Sequence, residues 1–439
     1  MAQPVLTCVV MRSSLPILCT ILAFASGCSS SKTDSPGAVP MAASDLTRDT
    51  SPNVADAEAA ALRDGNTAFA ADLYATLRND PSFANKNLFF SPYSVSVALA
   101  MTYAGARGDT ASELKNTMHF TLPDDRLHAA FNALDLSLSS RPQATDGQVP
   151  LTLRVANSMW GEITTTFEQP FLDTLAVNYG TGVYLTDFIN NPEASRNTIN
   201  NWVADKTEDK IQDLLSEGAI TSITRVVLVN AMYFNGGWSS PFSQSATTAG
   251  TFHGVNGDST AQMMTKNASL LYGAGTGWQC VVLPYDGGVT FTAIVPDDLA
   301  SFESSLDATM LASLASTDGS FEQATVNLTL PKFEIKGTSF SLKSALQTLG
   351  TTTLFGDQAD LSGISKSEPL FVSDVVHQAF ISVDEKGTEA AAATAVVTNG
   401  STSPAPPKQV TLTIDKPFVF FLRDSATGTI LFQGRYVGS

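Results

Sequence analysis

Residues 385–394 read EKGTEAAAAT, a glycine and a threonine followed by one glutamate, four consecutive alanines and a second threonine. Val396 and Val397 come next, then a tail rich in Gly, Ser, Thr and Pro. Alanine is the best helix former. Gly387 and Thr388 nevertheless interrupt any helix, and Val396, Val397 and Thr398 are β-branched, which favours extended chain. The composition fits a segment that is soluble as a loop and slim enough to enter a packed sheet. As a strand, its side chains alternate between two faces. With Glu389 turned to solvent, Thr388, Ala390, Ala392, Thr394 and Val396 face inward, all small or β-branched and uncharged. Ala391, Ala393 and Ala395 then lie on the outer face, and Gly387 supplies a hinge. No proline follows until Pro404, so every N–H of the insertable part can join a ladder. Pro404, Pro406 and Pro407 enforce an extended, non-pairing return path.

The chain that carries this segment has 439 residues, 43% of them hydrophobic and 15% charged. No repeat and no interior linker divides it, so residues 56–439 read as one domain with a large core. Its 25 basic against 42 acidic residues leave a charge of −17. That excludes nucleic acid or anionic lipid as the main partner, because phosphate binding needs clustered Lys and Arg. The four histidines (His119, His128, His253, His377) are scattered, without HExxH or CxxC spacing, so neither a metal nor another cofactor is expected.

The first residues resemble an export signal. Arg12 precedes the apolar run Leu15–Phe24, which is too short for a permanent membrane helix. Ala25-Ser26-Gly27-Cys28 then resembles a bacterial lipoprotein cleavage box, with Cys28 as the lipid attachment point and the only route to a membrane. Ala25 stands where such boxes carry Leu more often, so a plain secretory signal is the alternative. Residues 29–55 read as a flexible tether. Cys280 is then the single cysteine of the mature body, which excludes a disulfide within one monomer. Its apolar run, Trp278–Leu283, marks it as an inert core thiol.

Periodicity predicts helices first and strands later. Leu62, Phe69, Leu73, Tyr74 and Leu77 space a helix over 56–78. Ser91-Pro92 opens a second, and Thr110-x-x-Glu113 has the form of a capping box for a third. Helices are also expected at 124–138, 168–179, 192–210 (a polar surface helix) and 342–349. Strands are expected at 151–159, 221–234, 278–284, 289–295, 325–335, 370–384, 410–414, 418–423 and 429–437. The order indicates an α+β architecture with a large mixed sheet.

Six separated motifs now stand in order: NLFFSPYSVSVALAMTYAGARGDTASEL at 87–114, VVLVNAMYFNGGW at 226–238, LTLPKFEIKG at 328–337, ADLSGIS at 359–365, HQAFISVDEKGTEAAAAT at 377–394 and DKPFVFFLRD at 415–424. In this the chain resembles the serpins, the serine-protease-inhibitor superfamily, from about residue 60 to the C-terminus. The resemblance implies three β-sheets, about eight or nine helices and an exposed reactive-centre loop at about 387–409. Ser91, Ser94, Asn230 and His377 match the family's shutter, a polar group beneath the central sheet. Trp238, Lys332 and Glu385 match its breach, where the loop begins to insert. Glu385, Gly387, Thr388, Glu389, Ala390, Ala391, Ala392, Ala393 and Thr394 match the hinge. Counting in the family's register from Gly387 puts the reactive bond at Ser401–Thr402.

The mechanism implied by the resemblance is a single-use trap for a target serine protease, formed by a monomer with no catalytic residue of its own. No triad order or G-x-S-x-G elbow is present. Between Thr394 and Pro407 there is no Lys, Arg, Phe, Tyr or Leu, which points to elastase-like or subtilisin-like targets. A non-inhibitory binding or structural member and a cross-class inhibitor of cysteine proteases are the alternatives. A glycosaminoglycan-activated inhibitor needs a basic early helix, which Asp124-Asp125-Arg126-Leu127-His128 does not supply.

Overall fold

The computed structural model describes residues 39–141, 151–317, 321–336, 339–388 and 408–438. Among them are nine α-helices, and the strands join into one eight-stranded and one nine-stranded sheet.

The first helix, Asp56–Arg78, carries Asp56 and Glu58 in its first turn and Arg78 in its last, as the helix dipole favours. Glu58 also accepts the Ala55 N–H at 2.9 Å. Leu62, Phe69, Leu73, Tyr74 and Leu77 are all buried. Helix Pro92–Tyr103 starts where Ser91 Oγ accepts the Ser94 N–H at 3.1 Å. It is buried on nearly every side, as expected of a helix that is apolar all round. It packs against the strands Thr152–Glu162 and Val226–Gly237 of the eight-stranded sheet and Ile430–Tyr436 of the nine-stranded one.

The eight-stranded sheet has the two-residue strand Met41–Ala42 at one edge, then Val183–Thr186, Thr152–Glu162, Val226–Gly237, Gly387–Thr388, Val372–Val383 and Phe333–Lys336. Phe340–Ser341 also pairs with Val372–Val383. The central strands 226–237 and 372–383 are parallel and pair directly from Val226↔Val372 to Tyr233↔Phe380. Above that level the pair Gly387–Thr388 comes between them, antiparallel to both. Helix Pro192–Lys206 and the return through 207–220 cover the outer face. They bury Ile199, Val203, Ile211, Leu214 and Leu215 against Trp160, Val227, Val229, Ala231 and Val376.

The nine-stranded sheet runs as one ladder from Lys408–Thr413 to Leu88–Phe90. Its 19-residue strand Gly257–Gly275 pairs with Thr248–Gly254 along one half and Trp278–Pro284 along the other. One strand is thus shared by two sheet segments, so the expected three sheets appear as two hydrogen-bonded ladders.

Three local expectations are corrected. The run 325–335 is two strands, Phe321–Pro331 in the nine-stranded sheet and Phe333–Lys336 in the other, because the chain turns between sheets at Lys332. Thr110 and Glu113 form no capping box, since the helix already starts at Gly108. Glu113 instead accepts the N–H groups of Thr352 and Thr353 at 2.7 and 2.8 Å, and Thr110 Oγ1 accepts that of Asp360 at 2.9 Å.

Residues 39–55, assigned by composition to the tether, are packed on the body. Met41–Ala42 pairs with Val183–Tyr184 at the sheet edge, and Pro40 O accepts the Leu185 N–H at 2.8 Å. Arg48 donates to Asn132 at 2.8 Å and Asp135 at 2.7 Å. The close backbone approach needs Gly182, where a Cβ would lie 2.2 Å from Ala42 O. Residues 1–38, including Cys28, lie outside the described residues.

Arg48→Ala removes two charge-assisted hydrogen bonds in a half-buried site. It is expected to destabilise the native state by about 1–2 kcal/mol, seen as a lower thermal midpoint and as easier proteolysis within residues 39–55.

Candidate functional site

Two clusters converge on the central strands, one where the hinge enters and one below it. At the upper cluster, Asp384 turns the chain. Its Oδ1 accepts the Lys386 N–H at 2.8 Å and the Gly387 N–H at 3.2 Å, and its own N–H donates to Gly387 O at 2.8 Å. Gly387 has φ +150°, and a Cβ there would meet Gly236 O at 2.1 Å and Gly237 Cα at 2.7 Å. Only glycine fits this approach. Thr388 pairs with Gly236 on one side and Val383 on the other. It is fully buried and shares a 2.8 Å hydrogen bond with Tyr285 Oη. The inward direction expected from strand parity therefore holds at Thr388; residues 389–407, with the rest of the hinge and Ser401 and Thr402, lie outside the described residues.

Trp238 is buried, stacks on Tyr285 with ring centres 4.2 Å apart and donates its indole N–H to Asp384 O at 2.9 Å. Glu385 is 5% exposed. It accepts from Lys332 Nζ and Thr247 Oγ1, each at 2.8 Å, while its carbonyl takes the Phe242 N–H at 2.7 Å. Burial opposes ionisation of Glu385, but the Lys332 and Thr247 hydrogen bonds outweigh it and hold the carboxyl below its ordinary value. Lys332 reaches Glu385 because it occupies the corner between the two sheets. Trp238, Lys332 and Glu385 are thus brought together, as the resemblance implies.

The lower cluster is a polar row across three strands on their inner face. Asn157, Asn230 and His377 stand at one level, in register. The Ser91 N–H donates to His377 Nε2 at 3.1 Å, which leaves the ring proton on Nδ1 to donate to Asn230 Oδ1. Asn230 Nδ2 donates to Asn157 Oδ1 at 2.7 Å, and Ser94 Oγ donates to the same oxygen at 2.6 Å. Ser91 Oγ donates to Leu431 O at 2.7 Å. All members are paired, as a buried polar group requires. Among the described residues His377 has no carboxylate partner, and burial pushes it down from 6.5 to about 3. The serines and His377 are therefore built for cohesion and form no nucleophile–base pair.

Sequence reasoning missed Asn157, Tyr285 and Thr247. Asn157 could have been found as an inward polar residue in LRVANSMW, had the register with Asn230 been known. Tyr285 and Thr247 carry no local signal, because only the turn Asp384–Gly387 brings the hinge to them. Cys280 behaves as expected: it is buried, and burial pushes its thiol up to about 12. Among the described residues no group of His, Cys, Asp or Glu could hold a metal ion.

The family model described as "Serpin (serine protease inhibitor)" matches residues 64–438. The chain is a serpin. Human leukocyte elastase inhibitor is 37% identical over 389 residues, covering 85% of this chain and 98% of that protein. An uncharacterised serpin-like protein of Thermococcus kodakarensis is 36% identical, with coverage of 84% and 83%. Among solved structures, the thermophilic serpin tengpin in its native state has a TM-score of 0.76 at 25% identity, covering 90% of this chain and 97% of that one. Serpin48 of the insect Tenebrio molitor has a TM-score of 0.74 at 29% identity, with coverage of 88% and 100%. Serpins are protease inhibitors and not enzymes, and membership implies a target serine protease as partner.

Two outcomes follow for this serpin. Lys332→Ala leaves the Glu385 carboxylate buried with one partner fewer, and should cost about 1–3 kcal/mol, measured as a lower thermal midpoint of the uncleaved protein. The second concerns acid. His377 binds its proton at about 3 when folded and near 6.5 when exposed, so the open chain takes up more protons as pH falls. The stabilisation is complete above about pH 6.5 and declines towards pH 3; His128, pushed down to about 4 by burial, adds to the same slope. Thermal midpoints between pH 7 and pH 4 should fall, with a shallower slope in His377→Asn.

Proposed function

We propose that this serpin is a suicide-type inhibitor that consumes itself on a serine protease of elastase-like or subtilisin-like preference. The observation that carries the reading is Thr388, already lodged between the two central strands behind a hinge that only glycine can form. Strand insertion needs such a start, followed by side chains that a closed sheet can accept. Thr388 is followed by Glu389, Ala390–Ala393 and Thr394, with no proline before Pro404. The name of the human relative, an elastase inhibitor, and the small residues Asn399–Ser403 support the target class.

In this reading the protease's serine Oγ attacks the Ser401 carbonyl carbon. The Ser401–Thr402 peptide bond breaks, Thr402 leaves as a new amino terminus, and Ser401 stays on the protease as an ester. Residues from 389 onward then follow Thr388 into the sheet as a new strand, releasing strain stored in the native state. Continuing the described pairings by three residues places Ala391 opposite both Tyr233 and Phe380 on the outer face. Movement of the tethered protease distorts its active site before water reaches the ester. The protein acts as a monomer, and the segment ending near Cys28 directs export, with lipid attachment at Cys28 as an envelope anchor.

Incubation with elastase or subtilisin should give an SDS-stable adduct, and mass spectrometry should find the cut at or within a few residues of Ser401–Thr402. Adducts with trypsin alone would overturn the assigned bond, adducts with papain-like proteases would favour the cross-class alternative, and cleavage without any adduct would favour the non-inhibitory one. Thr388→Arg places a charge in a fully buried site and should turn the inhibitor into a substrate. Loop nicking should raise the thermal midpoint sharply in the native sequence and little in Thr388→Arg.

A further inference from the structure

Lys210 lies over the join between the central strands. Its Nζ is 5.9 Å from the centre of the Tyr233 ring and 5.9 Å from that of Phe380. Those two rings are direct partners across the parallel pairing, Tyr233 on the strand Val226–Gly237 and Phe380 on Val372–Val383. Both belong to the outer face, since they share parity with Val229, Ala231 and Val376 beneath the covering helix. They form the last pair before the strands diverge around Gly387–Thr388.

The loop that carries Lys210 is shaped for this placement. Glu208 and Asp209 are consecutive non-glycine residues with φ +53° and +60°. Such a conformation persists only where the surroundings impose it. Thr207 Oγ1 donates to Val203 O at 2.8 Å and accepts the Ile211 N–H at 3.2 Å, the Asp209 N–H donates to Ala204 O at 2.8 Å, and Ile211 is fully buried. Glu208 also accepts from Arg154 at 3.0 Å, tying the loop to the neighbouring strand Thr152–Glu162.

We propose that Lys210 is a positioning residue for loop insertion, a cationic staple that holds the central join closed from outside through both ring faces at once. Parting the strands by one inserted strand carries the rings from adjacent to about 9–10 Å apart in strand spacing; the ammonium, already 5.9 Å from each ring centre and at the limit of such a contact, could then reach both only from a point midway above the inserted strand. The staple therefore acts against opening only. It complements the Asn230–His377 contact on the inner face, and it rests on the inhibitory reading only for its effect on protease trapping.

The test uses the full native chain. In Lys210→Met, which keeps the aliphatic stem and loses the charge, hydrogen exchange of amides in 226–233 and 372–380 should quicken about two- to five-fold, the range for a partly exposed cation–π contact. Lys210→Arg should restore it, and strands of the nine-stranded sheet should not change. Unchanged exchange in Lys210→Met overturns the staple. Equal acceleration in the Met and Arg variants also overturns it, because loop packing and not the cation would then be the cause. Against elastase or subtilisin, Lys210→Met should trap with fewer inhibitors cleaved per adduct and lose activity sooner on warming. If the native sequence forms no adduct with any protease while the exchange pattern appears, the inhibitory reading fails and the staple stands.

Discussion

Two residues between two strands organise this protein. Gly387 and Thr388 part the strands 226–237 and 372–383 at one end, whereas from Tyr233↔Phe380 to Val226↔Val372 the same strands pair directly. The sheet is thus forked, with its next strand entered by one turn of sequence and continuous in chain with it. A parallel pair is slightly weaker per residue than an antiparallel one, and an inserted strand would be antiparallel to both neighbours. Backbone geometry alone therefore favours exchanging one parallel join for two antiparallel ones. In the proposed inhibitory reading, the native state depends on whatever prevents that exchange until the loop is cut.

The restraints found at the fork are of different kinds. On the inner face, the row Asn157–Asn230–His377 joins three strands to the N-terminus of helix Pro92–Tyr103 through Ser91 and Ser94. A buried polar network of this type adds little net stability compared with an apolar core. Breaking one member leaves others unpaired at high cost, which makes the row a stop that gives way only as a whole. At the head of the fork, the Lys332–Glu385 pair and the Trp238–Tyr285 stack hold the hinge turn against the second sheet. Lys332 can do so because it sits at the corner where the chain passes between sheets.

Much of this was legible in the chain itself. The alternation around Thr388 indicated its inward direction, the Ser91-Pro92 pair announced the buried helix, and the apolar runs marked buried strands such as Val226–Gly237 and Phe418–Asp424, but not Thr248–Gly254 or the 19-residue Gly257–Gly275, whose burial is mixed. The failures have common physical causes. The run 325–335 is uniformly strand-like, and nothing local says that Lys332 turns it into another sheet. Thr110 and Glu113 have capping-box spacing, yet their oxygens serve N–H groups at 352, 353 and 360 that are remote in sequence. Residues 39–55 look like linker because their polar side chains and carbonyls find partners only on the assembled surface.

Side-chain size, charge and backbone freedom are local properties, so the sequence alone carries the proposal of which segment becomes a strand, where it bends and where it stops. Which groups oppose that strand is a property of contacts between distant segments. Tyr285 on Thr388, Thr247 on Glu385, Asn157 beside Asn230 and Lys210 over two rings each join residues more than twenty positions apart. Their roles depend on register and on the meeting of two sheets, and only the tertiary structure decides those.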